Sequence, residues 1–414
     1  MKKALIIAYE FPPLGGPGVL RTLNYVKYLK GFGWEPSVIT VKDLKRERST
    51  RGVPRDESLL RDIPIGTKIE RAPHLLFPWG IRVILHRLPD DFIGWVLFAY
   101  AKALDMIRKD NYDLVYTTSP PEANHLVGYL LKKTTNKPWV MDFRDPWTQN
   151  KTYHYGFING KINKSLEKRC LENADAVISV VPRITEDLKT LIDCKKDKFY
   201  TIPNGYDEAD FVNYKPKNQY GGKFIVSYTG GFHGGYPKGY SYPFYFFEGI
   251  LQLLKNEEIS HEDLKIVLVG ESGEKKIHPG IPETMISRIG QISHEKVFDY
   301  ISNASVLLFC INKEIKYAMS GKIFEYIRAN KPILALVLSD SPPANLIKET
   351  DTGIAIEPDD VEGIKKAILY FYNQWKNKNL KINPDWEIIR RYDRKNLTKK
   401  LAQIFDESIN ERKK

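Results

Sequence analysis

Apolar residues in this chain come in short runs, separated by longer stretches with helical spacing. Ala4–Tyr9 is one such run, followed by Ser37–Val41, Asp113–Thr118, Trp139–Phe143 and Ala176–Val180. Each reads as a strand, because aliphatic and β-branched residues follow one another as they do in strands covered on both faces. The first intervening helix carries Leu20, Leu23 and Val26 on its apolar side. The second half repeats the pattern. Phe224–Thr229, Lys265–Val269, Ser305–Phe309 and Ile333–Val337 read as strands, and Phe244–Lys255, His294–Ser302, Gly321–Ala329 and Val361–Trp375 as helices. Strands alternating with helices predict a parallel sheet with helices on both faces. The fold class is therefore α/β, with two Rossmann-like halves rather than one long sheet.

The boundary falls near Ile202-Pro203-Asn204-Gly205-Tyr206, with a polar link through Asn213–Gly222. This sets a first domain at 1–204, a second at 205–390 and a terminal segment at 391–414. The tail, Trp386–Glu411, reads as a helical pair rich in Lys and Arg. Lys42–Arg71 is charged, contains Pro and Gly, and reads as a long surface loop. Phe92–Ala101 is strongly apolar within an irregular stretch, Leu75–Ile107. A helix packed on the core accounts for it, since apolar stripes usually face inward; the competing reading is an acceptor-side surface that touches a membrane.

Length and charge narrow the class. The 414 residues suffice for two or three domains, and 42% hydrophobic residues is ordinary for a globular protein. The formal net charge of +12 favours an anionic partner: nucleic acid, a membrane surface or phosphorylated substrates. Lys and Arg are interleaved with acids, and no aromatic–basic RNA motif occurs, which argues against nucleic acid. The three cysteines, Cys170, Cys194 and Cys310, fit neither a zinc site nor a disulfide framework and suggest a reducing, cytoplasmic compartment. The opening apolar run is too short for a secretory signal, and no run reaches the roughly 20 residues of a spanning helix. Peripheral contact with an anionic membrane, at the inner face of the plasma membrane, remains compatible with the charge.

In open α/β sheets ligands bind beyond the carboxyl ends of the strands, so the loops there are the places to search. After the first strand comes Gly15-Gly16-Pro17-Gly18, where backbone can approach a ligand closely. Arg21 stands where a dinucleotide fingerprint would have its third glycine, so the run is either a phosphate loop of another kind or a flexible turn. Ser119-Pro120-Pro121 and Asp142-Phe143-Arg144-Asp145-Pro146-Trp147 end two later strands. Arg144 and Asp145 are candidates for contact with a sugar or an acceptor hydroxyl; an ion-pair cluster is the structural alternative. In the second half, Gly230-Gly231-Phe232-His233-Gly234-Gly235-Tyr236-Pro237-Lys238-Gly239 holds five glycines in ten residues. Such a loop can lie against phosphates with Lys238 neutralising them; a glycine-rich lid with a solvated lysine is the alternative. Gly270 ends the next strand. Finally, Ser320-Gly321-Lys322-Ile323-Phe324-Glu325 opens a helix with a lysine in its first turn and a glutamate just beyond. Helix starts attract phosphate, Lys322 adds a full charge, and Glu325 can accept from sugar hydroxyls. The same run also fits an ordinary helix start with both charges in water. No zinc motif, P-loop or serine-hydrolase elbow occurs, nor an Asp-x-Asp that would hold a divalent ion against a diphosphate. No metal or other cofactor is expected.

These motifs, in their order and spacing, resemble the retaining GT-B glycosyltransferases of family 4 over nearly the whole chain. Pro203-Asn204-Gly205-Tyr206-Asp207 resembles the interdomain motif, Gly321–Tyr326 with Lys331-Pro332-Ile333-Leu334 the donor-site helix and following strand, and Tyr392-Asp393-Arg394 the start of the closing helix. The resemblance implies two Rossmann-like domains facing a central cleft, with the closing helix packing back on the first domain. It implies a nucleotide-sugar donor bound by the second domain and a glycan or lipid-linked acceptor held by the first, in cell-surface polysaccharide biosynthesis. Lys238 and Lys322 would bind the diphosphate and Glu325 the ribose. Gly15, Gly16, Gly230, Gly231, Gly270, Ser320 and Gly321 would line the donor, and Arg144, Asp145 and Lys238 would serve catalysis. Three positions depart from the family pattern: Tyr317 stands in place of a first glutamate, Gly231 in place of an arginine, and Arg144 at the catalytic-histidine position. A nucleotide-sugar 2-epimerase of the same fold is the alternative enzyme.

Overall fold

A computed structural model describes residues 1–42, 55–75, 77, 88–150, 153, 155–193, 197–212, 220–231, 242–270, 278–311, 313 and 319–412. They form two compact units, Met1–Pro203 with Arg394–Lys414, and Asn204–Asp393.

The first unit is built on a seven-stranded parallel sheet. In chain order it comprises β1 (Lys2–Ile7), α1 (Pro17–Leu29), β2 (Trp34–Val41), β3 (Lys68–Ala72), α2 (Ile93–Lys109), β4 (Leu114–Ser119), α3 (Ala123–Thr135), β5 (Trp139–Phe143), α4 (Phe157–Asn173), β6 (Ala176–Ser179), α5 (Pro182–Lys189) and β7 (Phe199–Thr201). The strand order is β3-β2-β1-β4-β5-β6-β7, so the direction of winding reverses between β1 and β4. The central strands β4 and β5 are buried along their whole length, which accounts for their apolar starts; Thr117, Thr118, Ser119 and Asp142 are buried polar residues towards their ends. Pro17 sits at the start of α1, where its missing N–H costs nothing.

The second unit has a six-stranded parallel sheet. Its elements are β8 (Phe224–Thr229), α6 (Phe244–Lys255), β9 (Leu264–Val269), β10 (Ile286–Ile289), α7 (His294–Asn303), β11 (Val306–Cys310), α8 (Lys322–Arg328), β12 (Ile333–Leu336), α9 (Pro342–Thr350), β13 (Gly353–Ile356), α10 (Val361–Lys376) and α11 (Trp386–Arg390). The order β10-β9-β8-β11-β12-β13 places the reversal between β8 and β11. Separate apolar clusters cover the two faces, one with Phe246, Phe247, Ile364 and Phe371, the other with Phe298, Phe324, Ile327 and Ile389. Local signals fix the helix starts: the Ser341 hydroxyl caps α9 and the Asp360 carboxylate caps α10.

The last helix, α12 (Arg394–Asn410), belongs to the first unit and packs on α1. Phe405 meets the ring of Trp34 edge-on at 5.1 Å, and Trp34 Nε1 donates to Asp406 at 3.0 Å.

Several expectations need correction. The stretch Lys42–Arg71 is not one loop: a 3-10 turn covers Glu57–Asp62, and β3 begins at Lys68. Residues 43–54 of it lie outside the described residues. β3, β7, β10 and β13 are the edge strands; polar residues break the apolar runs of β3, β7 and β10, and β13, though apolar, is only four residues long and half-buried. The apolar stretch at Phe92–Ala101 is the first half of α2, which continues to Lys109. Its Trp95, Val96, Ala99 and Met106 are core, while Leu97 and Phe98 face outward.

Candidate functional site

In the second unit the residues of interest gather at the carboxyl ends of β8, β9 and β11, beside the winding reversal where open sheets bind ligands. Gly230 and Gly270 both take positive φ, 109° and 96°, which ordinary side chains rarely adopt. A β-carbon at Gly270 would stand 3.2 Å from the Gly230 carbonyl carbon, so the two strand ends are pressed together.

Lys322, the first residue of α8, reaches into this corner. Its Nζ donates to the Tyr228 hydroxyl at 3.1 Å and lies 4.2 Å above the Tyr228 ring. Burial lowers this ammonium to about 8, partly opposed by Cys310 and Glu325. Lys322 is half-buried, with its ammonium held on Tyr228. Cys310 closes β11 nearby, its thiol pushed up to about 12 by burial, so it is an unreactive neighbour. The backbone N–H of Thr229 donates to the Tyr326 hydroxyl at 2.9 Å, which locks α8 onto the end of β8.

The helix α8 is only seven residues long, and no side chain caps it. The anion-attracting element is thus the Lys322 charge more than a helix dipole. Gly321 has a helical φ of −56°, and a β-carbon there would meet nothing within 4 Å. Among the described residues, Gly321 thus borders open space at the helix start. Glu325 is nearly buried, with Oε1 4.0 Å from His294 Nε2; the same imidazole nitrogen lies 3.3 Å from Asp210. Glu325, one turn along α8 from Lys322, therefore sits within a histidine–carboxylate group. Gly231 accepts from the Tyr228 hydroxyl at 3.3 Å. Lys238 and Tyr317 lie outside the described residues.

In the first unit a second group forms at the ends of β1, β4 and β5. Arg144 follows β5; its backbone N–H and its Nε both donate to the Ser119 carbonyl, at 3.0 and 3.1 Å, and its Nη2 donates to the Pro120 carbonyl. Glu10 lies 3.6 Å from the same guanidinium. Gly18, in the first turn of α1, leaves the room for this arrangement: a β-carbon there would stand 1.8 Å from Arg144 Nη1. Gly15 is buried, and Gly16 ends the loop before α1 with φ 90°. Asp145 is exposed; surrounding protein raises its carboxyl above the usual range, against Arg144, and solvent at its surface screens the effect.

Asp142 has a structural role. It is fully buried and bidentate to Arg21, with Nε to Oδ2 at 2.9 Å and Nη2 to Oδ1 at 2.7 Å. Tyr116 and Thr118 also donate to Asp142, and Arg21 donates to the carbonyls of Ile202 and Pro203 at 2.9 Å. Burial would raise this carboxyl, but the guanidinium more than offsets it and holds it below the usual range. Two acids around Arg144 thus split between an ion pair in the core and an exposed turn. Asp207 is likewise structural, accepting from the backbone N–H of Ala209 at 3.1 Å.

Tyr228, His294 and Glu10 escaped the motif reading, and Arg21 entered it only as a missing glycine. Glu10 and Gly18 had a signal, lying in the loop after the first strand; Tyr228 and His294 had none, since only the packing of α7 and α8 gives them their neighbours. Among the described residues no group of three or more His, Cys, Asp or Glu could hold a metal ion.

Comparison with known proteins bears on this geometry. A family model described as Glycosyltransferase Family 4 matches residues 18–210, and one described as Glycosyl transferases group 1 matches residues 224–374. No curated protein matches. Among solved structures, a glycosyltransferase from Rickettsia africae is similar at 17% identity, with TM-score 0.64 and 98% of each chain covered. A sucrose-phosphate synthase from Thermosynechococcus elongatus is similar at 15% identity, with TM-score 0.63, covering 98% of this chain and 99% of the other. A Listeria monocytogenes structure, described provisionally as a UDP-N-acetylglucosamine 2-epimerase, follows at 15% identity and TM-score 0.54, covering 97% and 94%. At these identities the structures speak for the fold, while the two sequence models span most of the chain. With a winding reversal and a residue cluster in each of its two Rossmann-like units, the chain belongs to the glycosyltransferases of family 4 and group 1, of the GT-B fold.

Proposed function

We propose that this glycosyltransferase moves a sugar from a nucleotide-sugar donor, with retention of configuration, to a glycan or lipid-linked acceptor. The single observation that carries the donor assignment is the Lys322 ammonium, held half-buried against Tyr228 beside two positive-φ glycines. A partly desolvated cation interacts with an incoming diphosphate more strongly than a fully solvated one. Gly230, Gly231 and Gly270 leave backbone accessible to phosphate oxygens, and Gly321 borders open space. Glu325, steadied by His294, is the acceptor for ribose hydroxyls.

The chemistry follows from charge. Breaking the bond between the anomeric carbon and the phosphate oxygen leaves positive charge on the sugar and negative charge on the departing diphosphate. Lys322, together with Lys238, favours that separation in the transition state. The acceptor oxygen attacks the same face, and its proton passes to the leaving phosphate oxygen, so no further base is required. In the first unit Arg144, fixed by two carbonyls and Glu10, and the exposed Asp145 contact the sugar and the acceptor hydroxyl. The lysines supply the charge compensation, and the enzyme works without a metal ion. The setting is assembly of cell-surface polysaccharide at the cytoplasmic face of the membrane.

Thermal stabilisation by a panel of UDP-, GDP-, ADP- and dTDP-sugars tests the donor assignment. One donor class should raise the melting temperature of the wild type and not of Lys322→Met; stabilisation of neither protein by any donor overturns the reading. The structural likeness to an epimerase motivates a second reading. NMR of the donor incubated alone separates the two: slow release of free sugar and nucleotide supports transfer, and a new epimer supports isomerisation.

A further inference from the structure

The outer face of α4 combines exposed apolar side chains with a basic stripe. Phe157 and Ile158 open the helix at 78% and 71% exposure, and Ile162 follows one turn on at 38%. Large apolar residues at such exposure, three within two turns, are uncommon on a surface that meets only water. Lys161, Lys164, Lys168 and Arg169 are exposed on the same side. Helical geometry sets Phe157, Lys161, Lys164 and Lys168 along one line, and Ile158, Ile162, Ser165 and Arg169 along the next. Lys161 lies 4.2 Å from the centre of the Phe157 ring, so cation and ring face outward together.

The opposite face fixes the roll of the helix. Trp147 Nε1 donates to Asn163 at 3.0 Å, the backbone N–H of Thr148 donates to Glu167 at 3.2 Å, and Cys170 and Leu171 are in the core. The helix cannot turn its apolar start inward without breaking these contacts. Helices α2, α3 and α4 pack side by side on one face of the sheet, and each starts at the edge where the parallel strands end. The outward Leu97 and Phe98, at the start of α2, therefore stand at the same edge as Phe157.

We propose that the start of α4, with Phe157, Ile158 and Ile162 inserted and the lysines behind them over the headgroups, docks the first unit onto an anionic lipid surface. Charge complementarity selects this occupant. A second copy meeting the same face about a two-fold axis would bring basic residue against basic residue. Apolar tips with a basic stripe match a bilayer with anionic headgroups, where insertion and charge attraction add. The inference rests on the peripheral-membrane part of the function proposed above and gives it a place on the molecule.

Co-sedimentation of the full chain with vesicles of phosphatidylcholine alone, and of phosphatidylcholine mixed with phosphatidylglycerol, tests it. The mixed vesicles should bind the protein, and binding should weaken as salt is raised. Replacing Phe157, Ile158 and Ile162 together by Ser should lower the partition coefficient at least about tenfold, and each Lys→Gln change at Lys161, Lys164 or Lys168 about fivefold. Because all six side chains are exposed, melting temperatures should match the wild type. Equal binding by the wild type and the triple-Ser variant overturns the proposal, as does absence of binding to mixed vesicles. A wild-type dimer that the triple-Ser change dissociates, with no vesicle binding, assigns the face to a second copy instead. Donor-induced stabilisation, read on the same samples without lipid, keeps the two inferences apart: its loss with vesicle binding intact counts against the donor site alone.

Discussion

The ammonium of Lys322 lies 2.8 Å from the point that a β-carbon on Gly230 would occupy. The two positions are thus coupled: the glycine is required by its own φ of 109° and again by the lysine that fills the space beside it. Gly230→Ala should therefore act on donor binding as Lys322→Met does. Calorimetry should show donor affinity falling about tenfold to a hundredfold in either variant, the range for removing a charged partner from a buried hydrogen bond. Unchanged affinity in both would detach this corner from the donor.

Proton linkage gives an independent check. Burial brings Lys322 down to about 8 in the free protein, and a bound diphosphate favours its charged form. Donor affinity should be constant near neutrality and fall as pH rises through about 8, because binding must then include uptake of a proton. Titrations in buffers of different ionisation enthalpy should show that uptake above pH 8 and lose it in Lys322→Met.

Gly18 stands to Arg144 as Gly230 stands to Lys322. A methyl group at Gly18 would collide with the guanidinium and with the Glu10 carboxylate. Gly18→Ala should push Arg144 off the Ser119 and Pro120 carbonyls. Turnover should drop by about a factor of ten or more, the usual effect of misplacing a positioned group, while donor-induced stabilisation is retained. Loss of both together would mean that the first unit had unfolded rather than rearranged.

The Arg21–Asp142 pair should matter to stability and not to chemistry. Asp142→Asn or Arg21→Met leaves a buried charge without its partner and should cost about 3–5 kcal/mol in denaturant unfolding of the first unit. A smaller penalty in the double variant than in either single one would identify the uncompensated charge as the cause.

Glu167 should impose a pH dependence of its own. Burial lifts its carboxyl from 4.5 to about 7, against the hydrogen bonds from Thr148. The folded protein holds this proton more tightly than the unfolded chain, so the group's contribution is full below pH 4.5 and is lost as pH rises through about 7. The loss is on the order of 3 kcal/mol. Melting temperatures recorded from about pH 5 to about pH 8 should decline more steeply in the wild type than in Glu167→Gln; parallel curves would refute the linkage.

Much of the architecture was legible because central parallel strands are buried on both faces. Trp139–Phe143 and Phe224–Thr229 show this as short, mostly apolar runs, and their limits agree with the observed strands. Helices α6 and α10 were equally plain, since a single apolar stripe must face the sheet. The edge strands were not legible. Lys68–Ala72 pairs on one side only and meets water on the other, so its composition is that of a loop.

The sequence by itself determined the alternation of strand and helix, the doubling of that pattern and the placing of glycines and basic residues after strands. These are local matters, decided by burial periodicity and by backbone freedom at single positions. Tertiary structure alone decided which charges serve the core and which face a ligand. Asp142 and Arg144 are two residues apart, yet the first is buried against Arg21 and the second lies over Gly18. Lys322 reads as a surface residue until the packing of α8 against β8 turns its ammonium onto Tyr228. Desolvation depends on neighbours brought from distant parts of the chain, and no spacing along the sequence encodes it.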